Sequence, residues 1–129
     1  MALDQTWAKK VQDHCHGGAA LPQPTGLKIL LMTANGTPAA NGTEVATSGG
    51  YTAGTGQPAV FGNATTASPS VSASSGVTSF TNMPGVTTVG IELWNSTSRQ
   101  EFGALSASKT TAAGDTLSFA AGAITSSLS

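Results

Sequence analysis

The chain has 129 residues, of which 9% are charged and 5% aromatic, and its formal net charge is −1. That length holds one modest core, and five basic residues leave no electrostatic footprint for nucleic acid or an anionic membrane. No apolar run approaches the roughly 18 residues that a membrane-spanning helix needs.

Alanine, glycine, serine and threonine together supply 70 residues, and charge is far below the usual fraction of about 25%. This composition suits short strands and many turns, with a low-complexity linker as the alternative for the middle third. We expect one domain over 1–129, with an N-terminal helix over 2–16, a β-rich body over 26–129 and an uncharged, loop-rich segment over 45–85. The single Cys15 makes no internal disulfide, which fits a reducing compartment. Residues 1–5 lack the basic and apolar regions of a secretory signal, so synthesis in a cytoplasm is expected.

Leu3, Trp7, Val11 and then His14 or Cys15 recur at spacings of three and four, which is the apolar stripe of a helix. Asp4 serves its N-terminal end, Gly17-Gly18 ends it, and Pro22 and Pro24 prevent its resumption. Such a helix buries Trp7 and Val11 either on its own sheet or on a neighbouring subunit. Leu27-Lys28-Ile29-Leu30-Leu31-Met32-Thr33 is nearly all apolar, the mark of a central strand buried on both faces. Asn35-Gly36, Asn41-Gly42, Gly49-Gly50 and Gly54 then signal turns.

From Val45 through Ile91 the sequence has no Asp, Glu, Lys or Arg. Solvated linkers usually carry charge, so this run reads either as edge strands (59–61, 71–73, 77–80) covered in an assembly or as a flexible insertion. Tyr51, Val60, Phe61, Val71, Val77 and Phe80 supply periodic anchors for the first reading. Residues 86–94 alternate, with Thr87, Val89, Ile91 and Leu93 on one face and a mixed set on the other, which predicts a half-buried strand. Residues 95–98 form a turn into a strand at 101–105, and Ala113-Gly114-Asp115 turns the chain into 116–119. This region carries most of the large apolar side chains and is the expected core.

Chemistry is sparse. His14-Cys15-His16, beside Asp13, is the one cluster with metal-ligating residue types, but residues two apart on a helix point about 200° apart. No further Cys or His completes a zinc set, so no metal or cofactor is expected. No Gly-x-Ser-x-Gly elbow is present. Glu92 and Glu101 are candidates to face each other across a hairpin as a carboxylate pair, against a solvated charged face as the ordinary explanation. The glycine-rich stretches lack the Lys-Ser/Thr ending of a phosphate loop. Sequons at Asn35, Asn41, Asn63 and Asn95 read as turn chemistry rather than glycan sites. No catalytic residue is assigned.

The order of motifs is nonetheless distinctive. A helix ending in Gly17-Gly18 precedes Pro24-x-x-Leu27 and the LKILLMT strand, followed by Glu44-Val45 and Ser48-Gly49-Gly50-Tyr51. Val89-Gly90-Ile91, Phe102-Gly103-Ala104-Leu105 and the ending Ala-Gly-Asp-Thr-Leu-Ser-Phe-Ala-Ala-Gly-Ala-Ile at 113–124 complete the set. This resembles a family of small tailed-bacteriophage virion proteins, labelled tail fibre or minor structural proteins. Members usually carry Ala-Arg or a similar pair after the tyrosine, where this chain has Thr52-Ala53. The resemblance implies a β-rich structural module with no catalytic residues.

The expected fold is mainly β: a small antiparallel β-sandwich or open barrel of seven or eight short strands with one N-terminal α-helix. The expected function is non-enzymatic, a multi-copy virion structural protein decorating the outer capsid surface. Its partners are the major capsid protein or tail proteins and copies of itself, in small homo-oligomers, a trimer first, at lattice symmetry points. The lack of a coiled-coil or collagen-like shaft favours the head over the tail. The alternatives are a tail-fibre or tail-tip module and, further off, a carbohydrate-binding module using Trp94 and Tyr51. Candidate interface residues are Leu3, Trp7 and Val11 if the helix faces outward, and Tyr51, Phe61 and Phe80 in the uncharged segment otherwise.

Overall fold

A computed structural model describes residues 1–128. In chain order the elements are β1 (Ala2–Leu3), α1 (Gln5–Cys15), β2 (Leu27–Ala34), β3 (Thr43–Glu44), β4 (Gln57–Pro58), β5 (Ser70–Ala73), β6 (Thr78–Met83), β7 (Val86–Asn95), β8 (Ser98–Thr111), β9 (Asp115–Phe119) and β10 (Thr125–Leu128). All ladders are antiparallel. The main sheet runs β1-β8-β7-β2-β3, with β4 also pairing β2, and two ribbons, β5–β10 and β6–β9, complete the fold. The fold is therefore mainly β, an open two-layer arrangement, and among the described residues it has one helix and ten strands rather than seven or eight.

Residues 29–32 are all buried, so β2 hides both faces as its unbroken apolar run predicts. Ile29 and Leu31 lie opposite Leu93 and Ile91 of β7. Phe80 and Met83 of β6, Leu117 of β9, Ile124, Val45 and Tyr51 close over that face to form the core. Phe80 meets the Tyr51 ring at 5.9 Å between centroids and the Phe119 ring edge-on at 6.5 Å.

The expectation of a half-buried β7 is corrected. Its mixed face is buried too, with Thr88 at 0% and Glu92 at 1% exposed, because the 35–42 loop folds over it: a Cβ on Gly90 would overlap the Asn35 side chain. Three further differences concern pairing. Residues 2–3 leave the helix and form β1 against β8. Residues 59–61 form no strand, Phe61 making only an isolated bridge to Ser74, and it is 57–58 that joins β2. Finally, β9 turns away from β8 to pair with β6, setting Leu117 opposite Phe80. The turn at 112–115, with Gly114 at φ 92° and the Asp115 carboxylate accepting from Ala112 N at 2.8 Å, carries the chain from one layer to the other. The β7–β8 ladder is itself irregular: residues 105–108 face Val89 alone between the Thr88–Lys109 and Gly90–Ala104 pairs.

Asp4 caps α1, its carboxylate accepting from Thr6 N at 2.8 Å and Trp7 N at 3.4 Å. Gly17 at φ 78° ends the helix, and Gly18 N donates to Asp13 O. No residue of α1 is fully buried.

Candidate functional site

The chain's one arginine organises its polar interior. A register shift between Leu93 and Trp94 leaves Gln100 unpaired in the β7–β8 ladder, so Arg99 comes opposite Trp94 and shares the face of Glu92. The Arg99 side chain is 2% exposed. Nη1 donates to Glu92 Oε1 at 3.1 Å and to Ala40 O at 2.8 Å. Nη2 and Nε donate to Asp4 Oδ2 at 2.8 and 3.1 Å, and Nη2 also reaches the Thr37 and Pro38 carbonyls. The guanidinium stacks over Phe102 at 4.7 Å. Glu92 is completed by Gly42 N at 2.7 Å and Trp94 Nε1 at 2.9 Å. A Cβ on Gly36 would lie 2.5 Å from Arg99 Nη1, so only glycine lets the loop close over the ion pair.

This network joins the helix cap, the 35–42 loop and the sheet. Burial pushes the Asp4 carboxyl up, but the Arg99 hydrogen bond and charge and the Thr6 and Trp7 amides outweigh it and hold the pKa below its ordinary value. Both oxygens of Glu92 are occupied and arginine does not give up its proton. The arrangement holds the fold together and has no free group with which to act on a substrate.

A second polar knot borders β2 at Leu31. The Tyr51 hydroxyl accepts from Leu31 N at 3.0 Å and donates to Glu44 at 2.8 Å, and Glu44 accepts from Gly54 N at 2.7 Å. Burial pushes the Tyr51 pKa far up.

The carboxylate pair is excluded by register. Glu92 lies opposite Phe102 and Glu101 opposite Leu93, so the two project from opposite faces of the sheet. Nor is either solvated: Glu101 is 7% exposed and is hydrogen-bonded by Ser126 Oγ, and burial pushes its pKa up. The solvated-face expectation fails because both faces of the hairpin are covered at residues 91–93 and 99–101.

The candidate interface residues separate into two groups. Tyr51 and Phe80 are 2% and 3% exposed, inside the core, while Phe61 is partly buried against it. Leu3, Trp7 and Val11 are half-buried and line one wall of a cavity of about 200 Å³, with Glu101 and residues 126–128 opposite. A larger open groove of about 500 Å³ runs along residues 103–107 toward Phe119 and Ile124, with Met1 at its rim. Val60 and Val77 of the uncharged segment are 68% and 65% exposed. Trp94 is half-buried and its indole N–H is taken by Glu92. His14, Cys15 and His16 are exposed, and among the described residues no three His, Cys, Asp or Glu side chains gather where they would hold a metal ion. Sequence reasoning missed Arg99. Its signal was its being the one arginine in a chain poor in charge, a few residues past Glu92 across a tight turn.

A family model for the podophage GP4 fiber I protein gp80 matches residues 2–127. The chain belongs to this family. No curated protein matches it. Membership in a fibre family makes this a phage structural, virion-associated protein, and the match includes β1, α1, both layers and all three residues of the Arg99 network.

Proposed function

We propose that the chain is a non-enzymatic fibre subunit displayed on the outside of the virion in small homo-oligomers, a trimer first, with the tail as its site. The observation that carries this reading is that the 47 residues from Val45 through Ile91, which have no charged side chain, include ordered strands of both layers. A neutral, ordered surface of this kind tolerates close packing against copies and neighbours, because association strips water from few charges. The buried carboxylates and the arginine are engaged within the fold, which leaves them no role in turnover. The family's name favours a fibre. The second reading, decoration of the capsid exterior, is supported by the compact two-layer fold, which among the described residues contains no shaft. Labelled antibody on purified virions, with copy number from band intensities, separates the two: label confined to the tail supports the fibre, and label spread over the head supports decoration. Absence from the particle, or turnover of a substrate, refutes both.

A further inference from the structure

We propose that β1 and α1 form an exchangeable arm that seats on the β8 edge of a second copy of this chain, so that Asp4 of one copy pairs with Arg99 of the next. The proposal rests on the homo-oligomer reading above and goes beyond it by naming the joint.

The root of the arm sits in a formed receptor. Ala2 and Leu3 pair with Phe102 and Glu101, Asp4 N donates to Gln100 O at 2.8 Å, and Gln5 N donates to Pro38 O at 3.0 Å. The Asp4 carboxylate meets a guanidinium whose side chain is 2% exposed. Beyond this root α1 rests on the body by side-chain packing, with Trp7 and Val11 half-buried. Among the described residues, no hydrogen bond or ion pair joins residues 6–25 to the rest of the fold, and α1 has no fully buried residue. The chain regains the body at Gly26, whose N donates to Asn95 Oδ1 at 3.3 Å and whose O accepts from Ser96 N at 3.2 Å.

Both ends of the arm thus lie beside the same β7–β8 turn, since Trp94 is opposite Arg99. The connecting residues 16–26 need only double back along a helix of about 16 Å, yet eleven residues span up to about 36 Å. That full reach matches the diameter of about 36 Å for a compact chain of this length. Gly17-Gly18 supplies a hinge, while Pro22 and Pro24 keep the connector extended and stop the helix from growing into it.

Exchange keeps every root contact and makes it between copies, so its chief cost is association, which adjacent copies on a particle supply.

The test uses Cys15→Ser protein in two separately tagged populations, one with Ala2→Cys and the other with Phe102→Cys. These positions are Cα partners across β1–β8, within disulfide reach. The populations are refolded together and oxidised, the products are run on a non-reducing gel, and light scattering gives the assembly size. The expected result is a covalent species carrying both tags, and a ladder ending at the assembly number when both cysteines are on one chain. Closed monomers alone, in protein that light scattering finds oligomeric, overturn the exchange and leave the homo-oligomer standing. Monomers by light scattering overturn both. Leu3→Cys with Glu101→Cys, the adjacent partners, repeats the test should loss of the Phe102 ring prevent folding.

Discussion

Removing Arg99 is the sharpest test of how this fold is held together. Arg99→Met keeps much of the side-chain volume but leaves Glu92, at 1% side-chain exposure, as a buried carboxylate without its cation. It also frees Asp4 and three loop carbonyls, of Thr37, Pro38 and Ala40. Breaking one side of a buried pair costs about 3–5 kcal/mol. Unfolding entropy near 2.1 cal/mol/K per residue gives this chain about 0.27 kcal/mol per kelvin, so the midpoint should fall by about 11–18 °C. Thermal melts followed by circular dichroism at pH 7 measure this, with urea unfolding by tryptophan fluorescence as a check. The double variant Arg99→Met/Glu92→Met removes the stranded charge and should recover part of the loss, though not all, since Gly42 N and Trp94 Nε1 lose their acceptor. A loss below about 1 kcal/mol for the single variant, or a double variant less stable than the single one, refutes the reasoning, since it requires the cost to come from an unpaired buried charge.

Other positions give independent checks. Tyr51→Phe strands the buried Leu31 N–H and should cost about 1–3 kcal/mol in urea unfolding with an unchanged slope. Gly90→Ala drives a methyl into Asn35 and toward the Gly103 carbonyl and should cost about 1–3 kcal/mol by overpacking, seen as a lower melting midpoint. Burial raises the Glu101 pKa above its ordinary 4.5, so its contribution is present at acid pH and lost as pH rises through the folded value. Glu101→Gln should therefore be more stable than the parent at pH 7, with the gap closing toward pH 4, in melts across that range. Asp4 has the opposite sign: its depressed pKa gives stability above the ordinary 3.8 that is lost as pH falls, and Asp4→Asn should flatten the acid limb of the same curve.

Elements with a strong local pattern were legible in the sequence: the LKILLMT run as a central strand, the alternation of 86–94, the helix stripe and its Gly17-Gly18 end. What was missed depends on contacts between distant residues. Two-residue strands such as Ala2–Leu3 and Gln57–Pro58 are too short to have a period, and pairing alone defines them. The partner of 115–119 depends on where one turn aims the chain, which composition does not encode. Glu92 reads as a surface charge until Arg99, seven residues on, is brought beside it by an irregularity in the ladder. The surface residues fared similarly, since nothing local separates Phe80, in the core, from Val77, three residues earlier and exposed.

The irregularity at residues 105–108 has a further consequence for self-association. A long, straight, exposed β edge invites neighbouring chains to add strands without limit, and sequences usually guard against this with lysine and other charges. This chain, with 9% charged residues, has few such guards. Four residues set against Val89 alone break the regular spacing of donors and acceptors along β8. Neighbouring chains are thereby denied an evenly spaced edge on which to extend the sheet.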